Sequence, residues 1–197
     1  MSLKAYDLFP TRIWQAPLRN RVPGVAELVE AIEAMRIAQP QPAGRTNRHG
    51  WNSIAKDVLD RPDFALVDGL VRQAVAAAFD EMGRSGLRFD LEAWINIHER
   101  GGFNFLHVHE GAYLSGCLYL RVPAGSGNLV FRDPRPGAVH GSLKGPVANG
   151  YRDISLKPED GLLVLFPSWL EHFVEPHAGD MPRIVIAFNA VPAATTP

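Results

Sequence analysis

From Leu87 onward the chain is a succession of short segments rich in β-branched and aromatic residues, separated by Gly, Pro and Asn turns. This texture restricts the fold more than any other feature. The segments are 88–98, 104–109, 113–122, 127–132, 150–156, 161–166, 171–175 and 182–190. Eight short strands in sequence predict a β-sandwich or barrel. Two helical stretches precede them. Val25, Leu28, Val29, Ile32 and Met35 recur at helical spacing between Pro23 and Pro40. Phe64, Val67, Leu70, Val71, Ala74, Ala78, Phe79 and Met82 form a second stripe, entered by Pro62-Asp63 and closed by Gly83. The 39–56 stretch has many turn formers and no sustained period, and reads as a structured loop. One domain over 1–197 is expected, with an N-terminal strand, helices and loop at 1–86, a β core at 87–191 and a frayed tail at 192–197.

Alternation in two strands shows which face can line a cavity. In Arg183-Ile184-Val185-Ile186-Ala187-Phe188-Asn189 the even positions are bulky and apolar, while the odd ones are small or polar. In the segment from Tyr113 to Leu120 the same division groups Tyr113, Ser115, Cys117 and Tyr119 against Leu114, Leu118 and Leu120. A half-solvated sheet face would show the same pattern.

Histidines give that cavity a use. His107 and His109 stand two apart in a predicted strand, so both imidazoles leave one face and can reach one ion. His172 follows the apolar run Leu162-Leu163-Val164-Leu165-Phe166 and the turn Pro167-Ser168-Trp169. Two ligands from one strand and a third from a distant one make a facial site with open positions, which suits catalysis better than structural support. Taken alone, a His-x-His is more often a pair of surface or hydrogen-bonded histidines. With Cys117 as the sole cysteine, a metal here must rely on imidazole and oxygen ligands. His49, His98, His140 and His177, set among polar residues, read as surface histidines.

Composition lends no support to nucleic-acid binding, without excluding it. A 46% hydrophobic and 21% charged chain is ordinary globular material, and 20 basic against 21 acidic residues leave a net charge of −1 without a basic block for nucleic acid. No long apolar run suggests a signal peptide or a membrane span, so a cytoplasmic location is expected.

Several motifs together resemble a family of 2-oxoglutarate/Fe(II)-dependent oxygenases found in bacteria and phages. They are Trp94-Ile95-Asn96-Ile97, Gly101-Gly102, His107-Val108-His109, and the run from Leu114 to Leu120. Phe131-Arg132-Asp133-Pro134-Arg135, the run from Leu165 to His172, and the run from Arg183 to Asn189 complete the block. Leu8-Phe9-Pro10, Thr46-Asn47 and Gly50-Trp51-Asn52-Ser53 extend the likeness toward the N-terminus. The resemblance implies a mainly β fold with flanking helices, the double-stranded β-helix or cupin-like jelly roll.

By the same resemblance His107, His109 and His172 would ligate Fe(II), and Arg183 would hold the far carboxylate of the co-substrate 2-oxoglutarate. Tyr119 and Asn96 are further candidates for holding it. No catalytic residue beyond the metal site is implied; the other partners would be molecular oxygen and a small-molecule or peptide substrate, and a homodimer is allowed. The wider superfamily uses His-x-Asp/Glu, so His109 stands where a carboxylate would be, with Glu110 beside it as the alternative ligand. Val185 occupies a position where a hydroxyl residue often follows the arginine. Trp169 is expected to pack at the barrel mouth, and the loops 42–56 and 133–150 to shape it.

Two other readings stay open. Gly101 with His107-x-His109, and Gly161 with Pro167 and His172, resemble the two cupin motifs, although Tyr113 and Leu114 stand where a cupin glutamate would be and Trp169 where a glycine would be. A three-histidine iron dioxygenase without 2-oxoglutarate fits that likeness. A non-catalytic jelly-roll module for a small ligand is the other reading.

Overall fold

Period-two patterning divides the long strands between two environments, and the architecture follows from that division. The computed structural model describes residues 1–22, 24–137, 140 and 152–193. Its strands are β1 (Trp14–Pro17), β2 (Asn47–Asn52), β3 (Phe89–His107), β4 (Leu114–Arg121), β5 (Leu129–Phe131), β6 (Ile154–Leu156), β7 (Leu162–Pro167), β8 (His172–Val174) and β9 (Arg183–Pro192). Helices α1 (Val25–Ala38) and α2 (Ala65–Glu81) precede β3, with 3-10 turns at Val58–Asp60 and Pro62–Phe64. On β9, Ile184, Ile186, Phe188 and Ala190 join Val67, Leu70, Val71 and Phe79 of α2 in one apolar core. The opposite face of the sheet meets a second core, where Cys117, Tyr119 and Val185 pack with Phe131, Phe166 and Val174. Helices therefore cover the outside of the curled sheet, and the barrel interior lies on its other side.

The strands run in the order β1-β7-β4-β9-β3-β8-β5-β6, with β2 also paired to β3. The first half of β3 pairs with β9 from Phe89↔Pro192 to His98↔Arg183, and its end pairs with β8 at Asn104↔Val174 and His107↔His172. One strand thus links the β9 side of the sheet to the β8-β5-β6 side. The sequence predicts two strands, 88–98 and 104–109, split by Gly101-Gly102. The glycines instead let a single strand bend. Gly101 adopts φ 81°, and a Cβ on Gly102 would sit 2.7 Å from the His49 carbonyl oxygen.

Three other expectations need correction. The 39–56 loop contains β2, whose pairing with β3 shifts register between Arg48 and Gly50, where His49 takes φ 49°. This bulge erases the alternation by which the strand would have been recognised. β9 continues through Val191 and Pro192, paired with Asp90 and Phe89, beyond the expected start of fraying; residues 194–197 lie outside those described. The 150–156 segment shortens to β6, with 150 and 151 outside the described residues, as is most of the 133–150 loop.

Helix α2 ends as its sequence predicts. Gly83 takes φ 69°, its N–H donates to the Asp80 carbonyl at 3.0 Å, and the Arg84 N–H donates to Phe79 at 2.8 Å. This paired closure satisfies the final carbonyls through a left-handed residue that glycine adopts without strain. Among the described residues no helix is long and apolar enough to cross a membrane.

Candidate metal centre

Strand pairing places His107 and His172 directly opposite each other across β3 and β8. His109 lies two residues beyond the end of β3, not within it as expected. Its backbone N–H donates to the Ser168 carbonyl at 2.9 Å, and the Ser168 hydroxyl donates to the Ala112 carbonyl at 2.6 Å. The turn before His172 therefore fastens the segment after His107. One ring nitrogen from each of the three histidines lies within 4.8 Å of the other two. Glu110 is exposed and stands outside this cluster.

The hydrogen bonds select a tautomer. Nδ1 of His107 is 2.6 Å from the Phe105 carbonyl oxygen, and Nδ1 of His172 is 2.8 Å from that of Leu170. A carbonyl only accepts, so the proton resides on Nδ1 and each Nε2 keeps a lone pair for a metal. Burial also favours the neutral rings. It lowers the His107 pKa and pushes those of His109 and His172 to about 3; the positive field of His107 adds to both, as do Lys56 and Arg45 at His109 and His109 at His172. Phe166 lies against His172 with ring centroids 4.6 Å apart, and Trp94 against His109 at 5.6 Å. Neutral and convergent imidazoles, that of His172 buried and those of His107 and His109 half-buried, form a donor set suited to a first-row divalent ion.

The triad opens onto a cavity of about 210 Å³. Arg183, Val185, Ala187 and Asn189 line it, as the alternation of β9 predicts. Cys117 and Tyr119 line it from β4, but Tyr113 does not; it packs edge-on against Phe79 of α2 at 5.9 Å. Ser115 donates its hydroxyl proton to Asn189 Oδ1 at 2.8 Å. Asn96 lines the cavity from β3, and Arg45, Thr46, Asn52 and Lys56 come from the segment expected at the mouth. The sequence places all four in the loop expected to shape the mouth, and Thr46 and Asn52 within family-like motifs, but gives none of them a role; Asn52 lies in β2 and the other three flank it. Trp169, expected to pack at the mouth, is 56% exposed.

Arg183 is the electrostatic anomaly of the cavity. It is only 2% exposed, and among the described residues no carboxylate pairs with it. Nη1 donates to the Gly127 carbonyl at 3.1 Å, Cζ lies 5.3 Å from the centre of the Tyr119 ring, and Nε has no acceptor. The buried Tyr119 hydroxyl also lacks a partner of ordinary geometry; burial raises its pKa, with the neighbouring Cys117 thiol adding to the shift. A buried cation without a counter-ion costs several kcal/mol unless an anion joins it. The histidines and this arginine therefore fit a metal accompanied by a carboxylate ligand.

Two of the four expected surface histidines are buried. His98 and His177 are each 1% exposed, whereas His49 and His140 are exposed. His98 is the register partner of Arg183, and burial followed by the Arg183 charge lowers its pKa to about 3, with Asn104 acting weakly in the other direction. Its ring is neutral in the fold but titrates near 6.5 once unfolded, so its contribution to stability is complete above about pH 6.5 and is lost as pH falls toward 3. His109 and His172 titrate in the same direction. Chemical denaturation of metal-free protein is expected to show falling stability across this window, with His98→Gln reducing the slope; a flat profile between pH 6.5 and 4 contradicts it.

Comparison with solved structures identifies the architecture. A prolyl-4-hydroxylase from Pseudomonas putida aligns over 93% of this chain and 94% of its own, with 17% identity and a TM-score of 0.66. A prolyl hydroxylase from Trichoplax adhaerens, in complex with a hypoxia inducible factor peptide fragment, aligns over 91% and 83% with 12% identity and a TM-score of 0.65. HygX from Streptomyces hygroscopicus, with nickel, 2-oxoglutarate and hygromycin B bound, aligns over 94% and 85% with 14% identity and a TM-score of 0.59. These likenesses place the fold among the double-stranded β-helices of prolyl-hydroxylase type. Residues 92–189, which hold the three histidines and Arg183, match the family described as putative 2OG-Fe(II) oxygenase, and the chain belongs to that family. It is accordingly an enzyme of the 2-oxoglutarate/Fe(II)-dependent oxygenases. No curated protein sequence matches the chain.

Proposed function

We propose that this enzyme hydroxylates a small-molecule or peptide substrate, with Fe(II) held by His107, His109 and His172 and 2-oxoglutarate held by Arg183, Tyr119 and Asn96. The observation that carries the reading is the buried, unpaired guanidinium of Arg183 in the same cavity as the triad. Bound together, Fe(II) and 2-oxoglutarate supply the oxidation of a substrate C–H bond by molecular oxygen, with carbon dioxide and succinate as the co-products. The chain's own residues position and shield. A planar guanidinium can grip a carboxylate through two parallel N–H donors, with the Tyr119 hydroxyl and the Asn96 amide as further donors. Leu129, Phe166, Val174 and Val185 line the same cavity with apolar surface and exclude water. Its volume is below the roughly 300–1,000 Å³ of sites that enclose drug-sized ligands. It therefore suits the co-substrate, with the prime substrate seated above it at the mouth.

The test needs no knowledge of that substrate. Anaerobic addition of Fe(II) and then 2-oxoglutarate is expected to produce a visible charge-transfer band, and admission of air to produce succinate. A three-histidine dioxygenase indifferent to keto acids, or a binding module, would give neither. Iron binding with neither signal overturns the oxygenase assignment for this site while leaving the fold and the metal cluster in place.

A further inference from the structure

Resting on that reading, we infer that the prime substrate carries an anionic group, a carboxylate or a phosphate, received by Arg45 and Lys56 at the cavity mouth. Among the described residues three cationic side chains line the cavity, Arg45, Lys56 and Arg183, and not one carboxylate does. Arg183 is buried beside Tyr119 and is committed to the co-substrate. Arg45 and Lys56 remain, lining the cavity from the residues on either side of β2.

The two residues differ in how they are held. Arg45 makes no ion pair among the described residues. Lys56 is paired with Glu92, half exposed and outside the cavity lining. Neighbouring polar groups add donors. Thr46 Oγ1 accepts from Asn104 Nδ2 at 3.0 Å, which leaves its hydroxyl proton to donate, and Asn52 Oδ1 accepts from the Gly44 N–H at 3.1 Å, which leaves its amide nitrogen to donate. The mouth therefore offers donors and positive charge to whatever covers it.

Desolvation decides the class of ligand. A substrate seated over the mouth strips water from Arg45 and Lys56, and a neutral one would leave Arg45 dehydrated and unpaired and Lys56 with Glu92 as its single counter-charge, at a cost an anion reduces. His109 strengthens the preference, because three neutral imidazoles leave a divalent ion one unit more positive than a ligand set with a carboxylate.

Paired probes test the inference on protein loaded anaerobically with Fe(II) and 2-oxoglutarate. Small carboxylates, each with its primary amide, and phosphate monoesters, each with its parent alcohol, are titrated by calorimetry. At least one anion is expected to bind about tenfold or more tighter than its neutral partner, since a hydrogen bond to a charged group is worth a factor of about ten to a hundred. That margin is expected to vanish in Arg45→Ala and Arg45→Glu, to shrink in Lys56→Ala, and to be largely restored in Arg45→Lys. Carboxylates and phosphate esters are separated by which arm shows the margin. Equal binding of anions and their neutral partners, absence of binding by every anion, or a margin untouched in both alanine variants overturns the inference. The keto-acid charge-transfer band is recorded first in every protein: a wild-type band with no anion margin defeats this inference alone, and a missing wild-type band defeats the oxygenase reading beneath it.

Discussion

Replacing His107 or His172 by alanine is expected to abolish stoichiometric iron binding, with loss well beyond the roughly 10–100-fold that removal of an outer-shell partner costs. His107 and His172 are cross-strand partners, each with Nδ1 against a backbone carbonyl, and among the described residues no other His, Cys, Asp or Glu joins their cluster with His109. Metal analysis after anaerobic reconstitution reads the result. Because His172 is buried, His172→Gln is prepared beside the alanine variant to separate lost ligation from lost folding. His109→Asp is expected to keep iron, since it offers a carboxylate from the same position. Glu110→Gln is expected to change affinity little, its side chain being exposed and outside the cluster. Undiminished metal in folded His107→Ala and His172→Gln would remove the site. Loss of metal in Glu110→Gln alone would transfer the third ligand to Glu110.

Arg183→Met is expected to separate stability from function. Methionine retains most of the length of the side chain while removing a buried charge for which no described carboxylate compensates. Iron content should be unchanged, and the midpoint of the anaerobic 2-oxoglutarate titration should rise about ten- to a hundredfold with loss of a charge-assisted contact worth roughly 1.5–3 kcal/mol. Without co-substrate the variant should unfold at the same temperature as wild type or higher. Saturating 2-oxoglutarate should stabilise wild type by about 2.7 kcal/mol at a hundred times Kd, and the variant by much less. A variant that is destabilised and binds the keto acid normally would make Arg183 a structural residue.

The legible parts of this fold are those where one rule dominates a segment. β9 alternates without interruption, so its even residues are assigned to the helix-covered core and its odd ones to the cavity, as observed. Gly83 marks the end of α2 because no other residue adopts its conformation as cheaply. The difficult parts are those where two rules compete. In β2 the left-handed His49 breaks the period, and in β3 a glycine pair that usually signals a turn bends a continuous strand. His98 and His177 look like surface residues because histidine is polar. Burial becomes apparent only when strand register sets His98 opposite Arg183 and the Met181 carbonyl reaches His177 Nε2 at 2.7 Å. Of the candidate site, the three histidines, Arg183, Tyr119 and Asn96 could be named from sequence, whereas the cationic mouth depended on the path of the bulged strand.

The registered pairs Asn104↔Val174 and His107↔His172 join β3 to the three-residue β8, and β8 in turn carries β5 and β6. The terminal pair of that seam carries two of the candidate ligands. An ion held by His107 and His172 would act there as a rivet, tying β8, and through it β5 and β6, to the end of β3. Metal binding would then add to the stability of that end of the sheet, and iron scarcity would weaken it as well as silence the chemistry.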